Sequence, residues 1–151
     1  MKKMKDKTKI SGLFKFLIAL AFVGMVTVNA LANILPLNGI GTGAVSDSYP
    51  NLFAPAGYTF AIWGLIYLLL ALSTLYQLGL FRSSETEDII LMRKVGFMFA
   101  VSSLTNAAWI FAWHYNRIAL SFILMVLLLL YLMDIVVNIN AKALTTREKW
   151  F

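Results

Sequence analysis

The chain has no cysteine, so it can form neither a disulfide nor a thiolate metal site. It has one histidine, His114, and no second imidazole to help it hold a metal. A lone histidine followed by Tyr115, Asn116 and Arg117 reads as a turn residue at an interface. Charge is scarce too. Charged residues make up 13% of the chain, against about a quarter in soluble domains. Among the few acids, Glu85, Glu87 and Asp88 lie in a polar linker with Arg82, Arg93 and Lys94 and make no catalytic pairing. Proline occurs only at Pro36, Pro50 and Pro55, all in one stretch.

What the chain has in excess is apolar, at 60% of its residues. These gather into four runs, about 16–35, 58–80, 95–115 and 118–139. A helix that crosses a bilayer needs roughly 20 mostly apolar residues. The runs therefore predict an all-α membrane protein with four transmembrane helices. Residues 12–151 form one transmembrane domain behind a basic leader, 1–11. That leader, the run after it and Ala30-Leu31-Ala32 also have the outline of a signal peptide. The run is long enough to span and three more follow, which favours a retained helix.

A net charge of +6 in a soluble protein would suggest nucleic acid. Here the placement of charge matters more. Of the 13 basic residues, only Arg117 falls outside the leader, the 82–94 linker and the C-terminal segment, apart from Lys15 at the mouth of the first run. Such asymmetry places both termini in the cytoplasm and exposes 36–57 and 114–117 outside. Lys15 would snorkel to the inner surface. The basic ends are topology and headgroup signals, not a nucleic-acid arm. The expected location is a cell membrane, with a bacterial plasma membrane as the natural host.

Polar and aromatic residues inside the runs then carry the information. Asn29 and Asn33 stand four apart, on one face of span one, and amides in hydrocarbon need partners. Pro55 suits the first turn of a helix, having no N–H to lose. After it Phe60, Trp63, Tyr67 and Leu70 recur at helical spacing. In span three Asn106, Trp109 and Trp113 share a face, beside small residues that permit close helix approach. Trp113 is equally suited to anchor at the interface. Asp134 lies about 24 Å down span four, near the cytoplasmic interface, where a hydrated carboxylate is expected. No paired intramembrane charges and no internal repeat suggest a transporter.

Spans one and three run outward and spans two and four inward. Asn29, Asn33, Trp63, Tyr67, Asn106 and Trp109 thus fall in the outer half of the bilayer. The long loop 36–57 closes over the same end as a candidate lid. One depth with aromatic faces, amides and a lid describes a small-molecule pocket. It also describes a wet helix-packing core.

These residues resemble the tryptophan-rich sensory protein family, also called the translocator protein or peripheral-type benzodiazepine receptor family. Ile62-Trp63 and Tyr67 match the family's Val-Trp and Tyr in its second helix. Pro50 and Pro55 match the prolines upstream, with Ala54 replacing one of a pair. Asn106-Ala-Ala-Trp109 matches the third-helix Asn-x-x-Trp, and Ala119-Leu120 opens the fourth helix as in the family. The resemblance covers roughly 36–138. Two departures stand out. The family's Trp at the start of helix two falls on Gly57 or Tyr58. The family fold has five transmembrane helices, and this chain carries four apolar runs, apparently lacking the fifth. A fragment, a truncated gene product or a partner helix would each account for that.

The resemblance implies a receptor or sensor that binds a porphyrin, haem or other hydrophobic small molecule at the lid end, often as a homodimer. The implied ligand set is Asn29, Asn33, Pro55, Tyr58, Phe60, Trp63, Tyr67, Asn106, Trp109 and Trp113, with no metal and no catalytic residue. A structural or accessory membrane subunit is the alternative. Light-dependent porphyrin degradation, known in some bacterial members, is a further one. It is not expected here, because one implicated Trp position holds Gly57 or Tyr58.

Overall fold

The computed structural model describes residues 10–35, 37–49, 62–80 and 89–141. Among them every element is helical. Helix α1 is Gly12–Ile34, followed by a 3-10 turn, Leu37–Gly39, and a short α2, Thr42–Asp47. Then come α3, Ile62–Leu78, α4, Ile89–His114, and α5, Ile118–Asn140. α1, α4 and α5 are long and apolar enough to cross a membrane. The described part of α3 is 17 residues, short of that length. The first residues expected for its span, 58–61, lie outside the described residues, as do the leader 1–9 and the segment 142–151.

The helices start and stop where side chains meet orphan backbone groups. Ser11 caps α1 by accepting from the Phe14 N–H through its hydroxyl. α3 ends on Gly79, whose φ of +101° only glycine adopts freely. Lys15 was expected to reach the membrane surface. Instead its ammonium donates to the Leu78 carbonyl at 2.6 Å, so α1 caps the C-terminal end of α3. α4 begins earlier than the expected 95. Ile89, Ile90, Leu91 and Met92 extend its apolar stripe, and Leu91 and Met92 are buried.

The main packing runs α3 to α1 to α4 to α5. One end of the assembly gathers the N-terminal ends of α1 and α4 and the C-terminal ends of α3 and α5. It is called the basic end here, after Lys15, Arg93 and Lys94. There Ile10, Tyr76 and Met92 form a buried cluster, flanked by Phe14 and Ile89. Just above it Gly96 lets three helices touch. A Cβ at that position would lie 2.6 Å from Ile18 of α1 and 2.8 Å from Gln77 of α3. Phe22 of α1 stacks on Phe99 of α4 at 6.2 Å, continuing the α1–α4 seam.

Asp134 is not a free interfacial carboxylate. Lys94 of α4 lies 3.5 Å from its Oδ1 and donates to Asn138 Oδ1 at 2.8 Å. The Asn138 amide in turn donates to the Asp134 carbonyl. A charged pair thus ties the basic ends of α4 and α5, where the sequence suggested none. Both side chains are 40–45% exposed, so the pair fixes register more than it adds stability.

Among the described residues, the buried positions of α3 lie at one end. Its buried residues, Thr74, Tyr76 and Gln77, all lie toward the basic end. Toward the other end, the loop end, Ile62, Trp63 and Leu65 are exposed. α5 is exposed along most of its length, with Ser121 its one buried residue.

Candidate functional site

At the loop end α1 and α4 are joined by an amide pair. Asn29 is buried, and its Nδ2 donates to Asn106 Oδ1 at 2.7 Å. The same nitrogen also donates to the Met25 carbonyl one turn back, at 2.9 Å. Both of its protons are therefore used, which fixes the rotamer of Asn29. Asn33 does not join this pair. Its side chain turns back to the Asn29 carbonyl at 2.8 Å, and the residue is exposed. Asparagine on a helix readily makes this i−4 bond, so Asn33 does not share in the bond between α1 and α4.

The α4 face continues from Asn106 to Trp109 and Trp113. The two indoles stack at 6.1 Å with 22° between their planes. Trp113 is committed: its Nε1–H donates to the Thr42 carbonyl of α2 at 3.1 Å. Trp109 is not. Its Nε1 is buried and has no hydrogen-bond partner among the described residues. A buried donor left unpaired costs on the order of 1–3 kcal/mol, so this N–H is a place where an acceptor would be welcome. Asn106, whose Oδ1 is occupied, presents its own Nδ2 donors three residues away, on the same face.

The hydroxyls on α4 are not available to a ligand in the same way. Ser102 and Ser103 both return to the Phe99 carbonyl, and Thr105 to Val101. The sequence read Ser102 as a small residue for close packing, and both serines are buried.

Trp63 and Tyr67 make their own pair on α3, with ring centroids 6.2 Å apart. Trp63 is 41% exposed. Among the described residues no hydrogen bond or ring contact joins this pair to Asn29, Asn106 or the indoles of α4. The structure therefore assembles the expected residues into two groups, an α1–α4 group and an α3 group. Pro55, Tyr58 and Phe60 lie outside the described residues. No cluster of His, Asp or Glu able to hold a metal occurs among the described residues.

The loop end is roofed by α2, and the residue that holds it is one the sequence misplaced. His114 was expected as an exposed turn residue. It is wholly buried, at 0% exposure. Its Nδ1 lies 2.9 Å from the Ile110 carbonyl, which can only accept, so Nδ1 carries the proton. Its Nε2 meets the Thr42 hydroxyl, 3.2 Å away. The Asn38 amide donates to the His114 carbonyl at 3.1 Å from a left-handed backbone, φ +54°. Asparagine tolerates that conformation better than most residues. No spacing pattern marks His114, because its partners on other elements lie 72 and 76 positions away.

Comparison with known proteins adds one finding. A family model described as TSPO-like protein matches residues 15–151. No curated protein and no solved structure matches the chain.

Proposed function

Since the chain belongs to the TSPO-like protein family and is a multi-pass integral membrane protein, we propose that it binds a hydrophobic small molecule of the porphyrin or haem type at the loop end, as a receptor or sensor. The observation that carries this reading is the buried, unpartnered indole N–H of Trp109 beside the free amide protons of Asn106. Two convergent donors suit a carbonyl or carboxylate oxygen, which a tetrapyrrole carries on its rim. The stacked Trp109 and Trp113 rings supply an aromatic wall for a flat macrocycle. Trp63 and Tyr67 are the second wall, on α3. Pro55, Tyr58 and Phe60 belong to the same reading, as does Asn33 at its margin. The exposed faces of α3 and α5 are where a second copy or a partner helix would sit. No nucleic acid and no metal ion enters this function.

A porphyrin titration tests it. Binding should quench the tryptophan fluorescence of the purified chain. Trp109→Phe keeps a ring and removes the donor, so it should weaken binding by about 1 kcal/mol. Trp63→Ala and Asn106→Ala should each weaken it by about 1–2 kcal/mol. Unchanged affinity in all three would return these residues to helix packing, the role of an accessory membrane subunit.

The site also implies an orientation. With four spans and both termini in the cytoplasm of a bacterial cell, the loop end faces outward. Reporter fusions at Asp88 and Phe151 should read cytoplasmic, and one at Ser46 external. An external signal at Phe151 would require an odd number of spans and reverse the assignment.

A further inference from the structure

We propose that the basic end of the α4–α5 seam is a phospholipid site, built for a zwitterionic headgroup that carries N–H donors, the phosphatidylethanolamine type. The site lies at the opposite end of the helices from Trp109 and does not rest on the ligand reading above.

Its polar part is Lys94, Asp134 and Asn138. At about 1.5 Å per residue, Lys94 lies roughly 8 Å in from the start of α4 at Ile89, and Asp134 about 9 Å in from the end of α5 at Asn140. In two helices long enough to cross a bilayer, that is close to the level where headgroups meet hydrocarbon. The two charges engage each other only loosely. Their 3.5 Å separation exceeds the usual range of an N–H···O bond. The Lys94 ammonium has three donors, and one goes to Asn138 Oδ1. Asp134 Oδ2 is buried and has no hydrogen-bond partner among the described residues. A carboxylate short of donors therefore stands beside an ammonium with donors left over. Both side chains are partly exposed, so a group from the bilayer can reach them.

The signs of the charges choose the headgroup. Lys94 Nζ suits a phosphate, and Asp134 Oδ1 suits a primary ammonium, each through a charge-assisted bond. Phosphatidylethanolamine brings both groups on one short arm. Phosphatidylcholine brings the same charges, but its ammonium has no N–H to donate. Phosphatidylglycerol brings a phosphate and no cation, which sets a second anion beside Asp134. Arg93, next in sequence to Lys94, already has an interaction of its own.

The polar group also heads two apolar stripes. On α4 Phe97 and Leu104 follow Lys94 at helical spacing, and both are exposed. On α5 Leu130, Leu127 and Ile123 follow Asn138 and Asp134 in the same way, and all three are exposed. α4 and α5 form the most extensive helix pair in the chain, so the stripes flank one seam. An acyl chain hanging from a headgroup at Lys94 and Asp134 would lie along it.

Native mass spectrometry of the full chain tests the site, with one lipid added at a time and the acyl chains held the same. Phosphatidylethanolamine should be retained about tenfold better than phosphatidylcholine or phosphatidylglycerol, the factor expected for one good hydrogen bond to a charged group. Asp134→Asn keeps the shape and removes the charge, and should bring phosphatidylethanolamine down to the level of phosphatidylcholine. Lys94→Gln should weaken retention of all three lipids. Equal retention of the three by the native chain would overturn the proposal, because water alone would then serve the pair. A preference for phosphatidylglycerol would overturn it as well, in favour of plain attraction to basic residues. A preference for phosphatidylethanolamine that survives Asp134→Asn would remove the site from this pair. If Asp134→Asn does not fold, Leu130→Trp takes its place, at an exposed position away from the charges. Its bulk should block the seam and lower retention of phosphatidylethanolamine several-fold, and unchanged retention would overturn the assignment to this seam.

Discussion

Gly96→Leu is expected to be the most damaging single substitution in the described helices. Even a Cβ there would sit 2.6 Å from Ile18 Cδ1, 2.8 Å from Gln77 Oε1 and 3.1 Å from Phe14 Cε1. Those atoms belong to flexible side chains, which in an open site would move aside. Here Ile18 is 1% exposed and Gln77 3%, so neither has anywhere to go. Overpacking of this kind costs roughly 1–3 kcal/mol for a few extra methylenes, and a whole leucine exceeds that range. The expected result is loss of the α1–α3–α4 junction, seen as a fall in the detergent melting temperature and aggregation of the purified chain. Gly24→Leu and Gly64→Leu are the controls, since a Cβ at either meets nothing within 4 Å. Both should be close to neutral. Adding Ile18→Ala to Gly96→Leu should recover part of the loss by opening the space the leucine needs. A Gly96→Leu chain that melts with the wild type would show that the helices separate at this junction without consequence.

The same junction explains why α3 is held from one end. Gly96 brings α4 against Gln77 while Lys15 of α1 caps the α3 C-terminus. Among the described residues no equivalent cap fastens the loop end of α3, and Trp63 is partly exposed.

Much of this was legible in the sequence, for identifiable reasons. The helices were, because backbone groups in hydrocarbon must bond within the segment, and long apolar runs leave no other option. The common depth of Asn29 and Asn106 followed from alternating chain direction, and the two side chains do meet. The start of α4 was misjudged because Glu85, Glu87 and Asp88 suggested a polar linker that continued to Lys94. The apolar Ile89–Met92 stretch already belongs to the helix. Lys94 and Asn138 stand equally far in sequence from Asn116 at the α4–α5 turn, so their pairing was a countable consequence of the hairpin. What sequence could not supply was the role of single residues whose partners are remote. His114 and Lys15 each satisfy a group on another element, and neither carries a periodic signature. That Asn33 stays out of the Asn29–Asn106 pair has a local cause: its amide bonds its own helix.

The amide pair itself is where packing and binding can be separated. Asn29→Leu would leave the half-buried Asn106 Oδ1 without its donor, at a cost toward the lower end of about 1–3 kcal/mol. Asn106→Leu should cost less, because Asn29 keeps its bond to the Met25 carbonyl. The double Leu variant removes both amides and leaves no orphan between them. Its stability should exceed that of Asn29→Leu alone, with a coupling of roughly 0.5–3 kcal/mol across the cycle. Measured interhelical bonds in membranes average near 0.6 kcal/mol, so a value toward the lower end is expected. Thermal melts of the four chains give the cycle, and porphyrin titrations of the same four give the second readout. If Asn106 serves the ligand through its Nδ2, the double variant will be stable and yet bind porphyrin more weakly, by about the 1–2 kcal/mol expected for Asn106→Ala. Recovered stability with undiminished binding would confine both asparagines to holding α1 against α4. The ligand would then have to be held by Trp109 and the aromatic pair on α3 without them.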